Sequence, residues 1–352
     1  MNAVRSRSAI FDWAMAIAAF WTVTGLYADL GWHIRHHVDT FFTFTHAILY
    51  SGLLLLFGIV TISALRNVLT GSRNLATLLP PGYLLSLVGI ALFAAGGAGD
   101  LVKHEALGIE RDFDALLSPT HLLIGFGVML AVCGPLRSAL FSPRPRSPAA
   151  QLPALISIAS ALELLHWATN PFFRSNVRAG LETVLPHELT PDAITLQTLH
   201  VYEQGSGLMA FILQSLLMMG AAFYLVRNFR LRPGAMTVLF VLGNVLIGVT
   251  NSITWGEAAA VIVSSVVAGV VADLFIADMD TLRLNRMRFA VFAFSVPAAY
   301  HIAFLLFTAF ALGGVWWDPS IAAGAVIDSG IFGLFLGFVA FVAQSGAPAD
   351  AA

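Results

Sequence analysis

Charge is scarce in this chain. Only 11% of its 352 residues are Asp, Glu, Lys or Arg, where a soluble domain carries about a quarter. That scarcity excludes an ordinary water-soluble globule. Cysteine is scarcer still. Cys133 stands alone in an apolar run, which excludes a disulfide within the chain and any Cys-rich zinc or iron–sulfur site. Basic clusters are missing too. A net charge of −2 with no basic patch leaves nothing for nucleic acid to bind. No stretch reads as a separate soluble domain; the longest piece outside the apolar runs is about 171–194.

What the chain has in abundance is apolar sequence. Fifty-eight per cent of its residues are apolar and the mean hydropathy is +0.82. Apolar runs of helix-spanning length recur, each enough to cross about 30 Å of hydrocarbon. The sequence predicts an all-α integral membrane protein, a single polytopic domain over 1–352 with the lipid bilayer as its main partner. About ten spans are expected, at roughly 9–31, 43–65, 80–102, 117–139, 151–170, 195–226, 234–254, 256–277, 287–311 and 320–344. They pair into hairpins at about 9–65, 80–139, 151–226, 234–277 and 287–344, punctuated by Pro- and Gly-rich joins such as LLPPGY and FSPRPRSP. The N-terminus mimics a signal peptide, but GLYAD offers a poor cleavage site, so an uncleaved first helix is expected. With the N-terminus inside, thirteen Lys and Arg fall on one side and five on the other. The positive-inside rule then puts both termini in the cytoplasm of an inner (plasma) membrane.

On that topology the histidines gather toward the external side. The stretch ADLGWHIRHHVDTFFTFTHAILYSG, residues 28–52, lines up with AGDLVKHEALGIERDFDALLSPTHLLIGFG, residues 98–127. Both read Asp-x-x-x-His at the end of one span and resume with Thr-His at the start of the next. The offset is 71 residues at the first pair and 75 at the last. A weaker third copy has Glu163, His166 and His200. Such an array fits duplication of one helical hairpin.

Residues i and i+4 share a helix face. Asp29 with His33, and Asp100 with His104, therefore point the same way, and His46 and His121 open the partner helices at similar depth. Each hairpin can converge one carboxylate and two imidazoles, a set that suits Cu(II), Fe(II) or Zn with positions left open. The same side chains can also simply stitch helices together by hydrogen bonds. His36, His37 and Asp39 read as solvated loop residues or as partners that orient the ligands; His187 and the acids Glu105, Glu110, Asp112 and Asp114 read as surface. His301 and Asp328 read as helix-packing groups.

Asp29-x3-His33-x12-His46 resembles the metal-binding motif in the C subunit of the particulate methane and ammonia monooxygenases. The resemblance implies copper at Asp29, His33 and His46 and, through the internal repeat, a second site at Asp100, His104 and His121, where the last spacing is x16. It also implies a part in metal-dependent oxidation, as a copper oxidoreductase or a subunit of one, with further membrane subunits or copies of the chain as partners. Iron or zinc are alternative ions. Two rival functions remain from the residues themselves: a b-type haem or quinone electron-transfer protein, with His46 and His121 as axial ligands, and a proton-coupled transporter using acids such as Asp273 and Asp328.

Overall fold

The structure, a computed structural model, describes residues 2–35, 41–71, 78–108, 117–141, 148–169, 193–252, 254–315 and 317–345. All regular structure among them is helical. Eight helices, of 22 to 27 residues within their apolar stretches, are long and apolar enough to cross a membrane. At about 1.5 Å per residue each exceeds the hydrocarbon thickness. Their outward side chains are large and apolar, Phe310 being 88% exposed, as lipid contact requires. The chain divides into two compact units, Met1–Ala168 and Thr169–Ala352.

In the first unit, α1 (Asn2–Arg35) pairs with α2 (Phe44–Leu69), and α3 (Leu84–Leu107) pairs with α4 (Pro119–Val132). The short α5 (Gly134–Leu140) continues α4 after a break at Cys133, where Pro135 removes a backbone donor. Helix α6 (Pro148–Ala168) packs against α1, α4 and α5. The apolar core at one end holds Met15, Leu56, Val60, Tyr83, Ile90 and Ala131. There Tyr83, just ahead of the α3 span, donates to Asp12 (2.5 Å), and Arg137 donates to the Gly82 carbonyl and to Ser86. Burial, and then the negative charge of Asp12, push the Tyr83 phenol well above its ordinary range.

Glycines set both hairpin crossings, and they do so at equivalent positions. A Cβ on Gly25 would stand 2.6 Å from the Leu49 backbone, and one on Gly96 would stand 2.9 Å from the Ile124 nitrogen. Gly52 likewise abuts Thr22, and Gly127 abuts Phe93. The first-helix contacts repeat at an offset of 71 and the second-helix contacts at 75, the same offsets as the Asp and His motifs. The two hairpins are therefore copies in packing as well as in ligands. Small residues allow this approach where no hydrophobic force drives helices together in lipid.

The second unit contains α7 (Ala193–Asn228), α8 (Ala235–Leu242), α9 (Val245–Asn251), α10 (Trp255–Ile276), α11 (Met279–Leu284), α12 (Arg286–Leu312) and α13 (Pro319–Ser345). The expected span at 234–254 is two short helices, interrupted at Gly243 and Asn244. Asn244 spends its side chain on the Phe240 carbonyl and on Gln214 of α7. Asp273 of α10 caps α8, accepting from the Met236 and Thr237 nitrogens (3.0 and 3.1 Å) and the Thr237 hydroxyl (2.6 Å). Its role is local and structural.

Candidate metal centre

The duplicated hairpins bring their acids and histidines together at one end of the first unit. Each His lies in the first turn of its helix, just after a hydroxyl N-cap. Thr43 and Ser118 have extended backbone there and accept from the His46 and His121 nitrogens (3.1 and 3.3 Å). The cap holds the start of each second helix beside the acid of the first.

The second copy is the better defined. Ligand atoms of Asp100, His104 and His121 all lie within 4.8 Å of one another. His104 Nε2 is 3.6 Å and His121 Nε2 is 3.4 Å from Asp100 Oδ1. Asp100 is 1% exposed, so its charge is removed from water and needs compensation. In the first copy His46 Nε2 is 3.3 Å from Asp29 Oδ2. His33 lies one turn beyond Asp29 on α1, with its side chain outside the described residues, as are His36, His37, Asp39 and the loop acids Glu110, Asp112 and Asp114.

The hydrogen-bond network fixes which ring nitrogens face the acids. Thr120 donates to Asp100 Oδ1 (3.1 Å), so the Ser118 hydroxyl, 3.0 Å from Thr120, must be the donor in that contact. Ser118 Oγ is then an acceptor toward His121 Nδ1, 2.9 Å away. In the first copy Thr45 donates to Asp29 Oδ1 (2.7 Å) and receives from Thr43 (3.0 Å). His46 Nδ1 faces the Phe41 carbonyl, which can only accept. Both Nδ1 atoms therefore carry hydrogen, and in the neutral rings both Nε2 lone pairs point at a carboxylate oxygen. Two electron-rich atoms so placed repel unless a cation or an extra proton lies between them.

The two occupants favour different spacings. A charge-assisted hydrogen bond draws its atoms to about 2.7–2.9 Å. Ligands about 2.1 Å from a tetrahedral ion stand roughly 3.4 Å apart. The three distances of 3.3, 3.4 and 3.6 Å leave room for an ion and are also those of His–Asp ion pairs. The donor set of neutral imidazoles and a carboxylate fits a borderline divalent ion.

The two copies adjoin. The His46 and His104 rings lie 6.5 Å apart, and the His104 and His121 rings 6.3 Å. Phe41 seals the junction, stacked on His46 at 4.7 Å and edge-on to His104 at 5.7 Å. Tyr50 packs one turn below, between His46 and Phe93.

Of the third copy, Glu163 and His166 are described and the His200 side chain is not. Glu163 and His166 are both fully buried on α6, and the Glu163 backbone carbonyl accepts from Tyr27 (2.8 Å). The His200 and His187 side chains lie outside the described residues. His301 is a packing group, as expected: it donates to the Pro297 carbonyl (2.9 Å) and stacks on Phe211 at 4.1 Å. Glu105 is exposed.

Thr43, Thr45, Ser118 and Thr120 have no assigned role in the sequence reading beyond the Thr-His pair. Their signal was the repeated pattern of hydroxyl, any residue, Thr, His at 43–46 and 118–121. No protein-family model, curated protein or solved structure matches this chain.

Proposed function

We propose that this chain is a multi-pass membrane metal protein, with Asp100, His104 and His121 holding one divalent ion and Asp29, His33 and His46 a neighbouring one. The observation that carries the reading is the convergence of one carboxylate and two imidazoles from two helices, the ligand atoms of Asp100, His104 and His121 all lying within 4.8 Å of one another. The ion is copper, on the resemblance to the C subunit of the particulate monooxygenases, with iron or zinc as the other borderline candidates. Copper held by two imidazoles and a carboxylate supplies one-electron redox chemistry and leaves positions open for water or substrate. The chain thus serves metal-dependent oxidation, alone or beside further membrane subunits. The charge bias supports ten spans, cytoplasmic termini and external-facing sites, with α6 and the broken pair α8–α9 as the two remaining crossings.

Haem is less well supported, because His46 and His121, the pair that would hold it, each direct Nε2 at the carboxylate of their own hairpin, Asp29 and Asp100. Transport is less well supported, because Asp273 is committed to capping α8. The test is elemental analysis and EPR on the purified chain. Wild type should carry copper, and His104→Ala and His121→Ala should each lose the ion of the second site. Equal copper in all three removes the proposal, and a b-type optical spectrum favours haem.

A further inference from the structure

We propose that Thr45 and Thr120 are positioning residues for the bound ions, each locking the carboxylate of its hairpin in the orientation that metal binding needs. This rests on the metal reading above and extends it to residues outside the ligand set.

Both threonines sit immediately before the ligating histidine, in the first turn of the second helix of their hairpin. A hydroxyl there could turn back on its own helix. Thr22 and Thr24 do so on α1, donating to the Ala18 and Phe20 carbonyls (2.8 and 2.9 Å). Thr45 and Thr120 instead donate across the helix pair to Asp29 Oδ1 and Asp100 Oδ1. Neither is the helix cap, since Thr43 and Ser118 fill that role. In both copies the cap hydroxyl passes its own hydrogen to the threonine. The result is a two-link chain from cap to acid: Thr43 to Thr45 to Asp29, and Ser118 to Thr120 to Asp100.

This chain does two things. It stops the carboxylate rotating about its terminal torsion, which is otherwise broad. It also ties the orientation of the acid to the helix start that presents the histidine. The ligands from two different helices are thereby held as one unit. In the first copy the threonine takes Oδ1 and leaves Oδ2 facing His46. In the second it takes one lone pair of the same Oδ1 that faces both imidazoles. The second ion should accordingly meet a carboxylate oxygen already polarised by a hydroxyl.

The experiment is titration of copper(II) and zinc into the full chain in lipid nanodiscs, with an EPR spectrum of each copper-loaded form. Thr120→Val and Thr45→Val keep the side-chain shape and remove the hydroxyl. Each should weaken its own site by about 10–100-fold and alter the copper spectrum. Thr120→Ser and Thr45→Ser should restore both affinity and spectrum. Thr24→Val, which removes a hydroxyl bonded only within its own helix, should leave both unchanged. If wild type binds no ion, or binds it equally after His121→Ala, the metal reading fails. If His121→Ala loses the ion but both valine variants keep wild-type affinity and spectrum, the positioning role alone is overturned. A general loss of helical circular dichroism in one valine variant leaves the other variant and the serine rescue to decide.

Discussion

A buried carboxylate beside imidazoles is an unstable arrangement without a positive charge, supplied by a metal ion or by a protonated ring. Asp100 is the sharpest case, being almost wholly removed from water and flanked by His104 and His121. Asp100→Asn should therefore abolish ion binding at this site while costing little stability in the metal-free chain, because it removes the charge that needed compensation. Elemental analysis beside a thermal melt checks both halves. Protons and metal compete for the same Nε2 atoms. An imidazolium cannot ligate, so acid favours the metal-free form, and the ion should dissociate as pH falls through about 6. Copper retained during dialysis at successive pH values measures this, and retention to pH 4 would contradict it. The residues at 29, 33, 46, 100, 104 and 121 stood out in the sequence as a candidate ligand set, of which the structure groups Asp100, His104 and His121. The role of Thr45 and Thr120 was not, because a threonine in a first helical turn can bond to its own helix or across to another, and only packing decides which.

At the scale of the hairpin, the ligands meet because two helices cross closely at glycine. Gly25 lies one turn inside Asp29, and Gly96 one turn inside Asp100; each touches the residue one turn inside the partner histidine. Gly96→Val would drive a side chain into the Ile124 backbone. It should cost about 1–3 kcal/mol of stability and weaken metal binding without altering any ligand. Gly58, whose added Cβ would meet nothing within 4 Å, is the control, and Gly58→Ala should leave both properties intact. At the other end of the unit, Tyr83→Phe removes the donor to Asp12 and should cost about 1–3 kcal/mol. The phenol ionises at higher pH folded than unfolded, because burial and Asp12 disfavour the phenolate. Its stabilising contribution is thus complete below pH about 10 and declines above it as the unfolded chain ionises. Melting temperatures measured from pH 8 to 11 should fall less steeply for Tyr83→Phe than for wild type. The hairpins themselves could be read from apolar runs and Pro–Gly joins. The interruption at Gly243 and Asn244 could not, since one Gly–Asn pair inside an apolar run need not end a helix and Asn244 is held by Gln214, thirty residues earlier.

Across the whole molecule, every described member of the centre belongs to the unit Met1–Ala168. In the second unit, Asp273 caps a helix and His301 packs in an aromatic cluster. A truncated chain ending at Ala168 should insert into membranes and keep its metal, which elemental analysis of the purified fragment checks. A fragment that inserts but binds no ion would show that the later helices complete the centre.

Composition by itself determined that this chain lives in a bilayer. So few charges and so many long apolar runs leave a hydrogen-bonded helix as the economical way to bury backbone. The repeat by itself determined the candidate ligand set, because helical periodicity places Asp and His of one helix on a common face. Which donors actually converge, and that the two copies adjoin through His46 and His104 around Phe41, was decided only by tertiary structure. Those meetings join residues nearly sixty positions apart on different hairpins. They depend on how closely glycine lets the helices cross, a distance that no local pattern encodes.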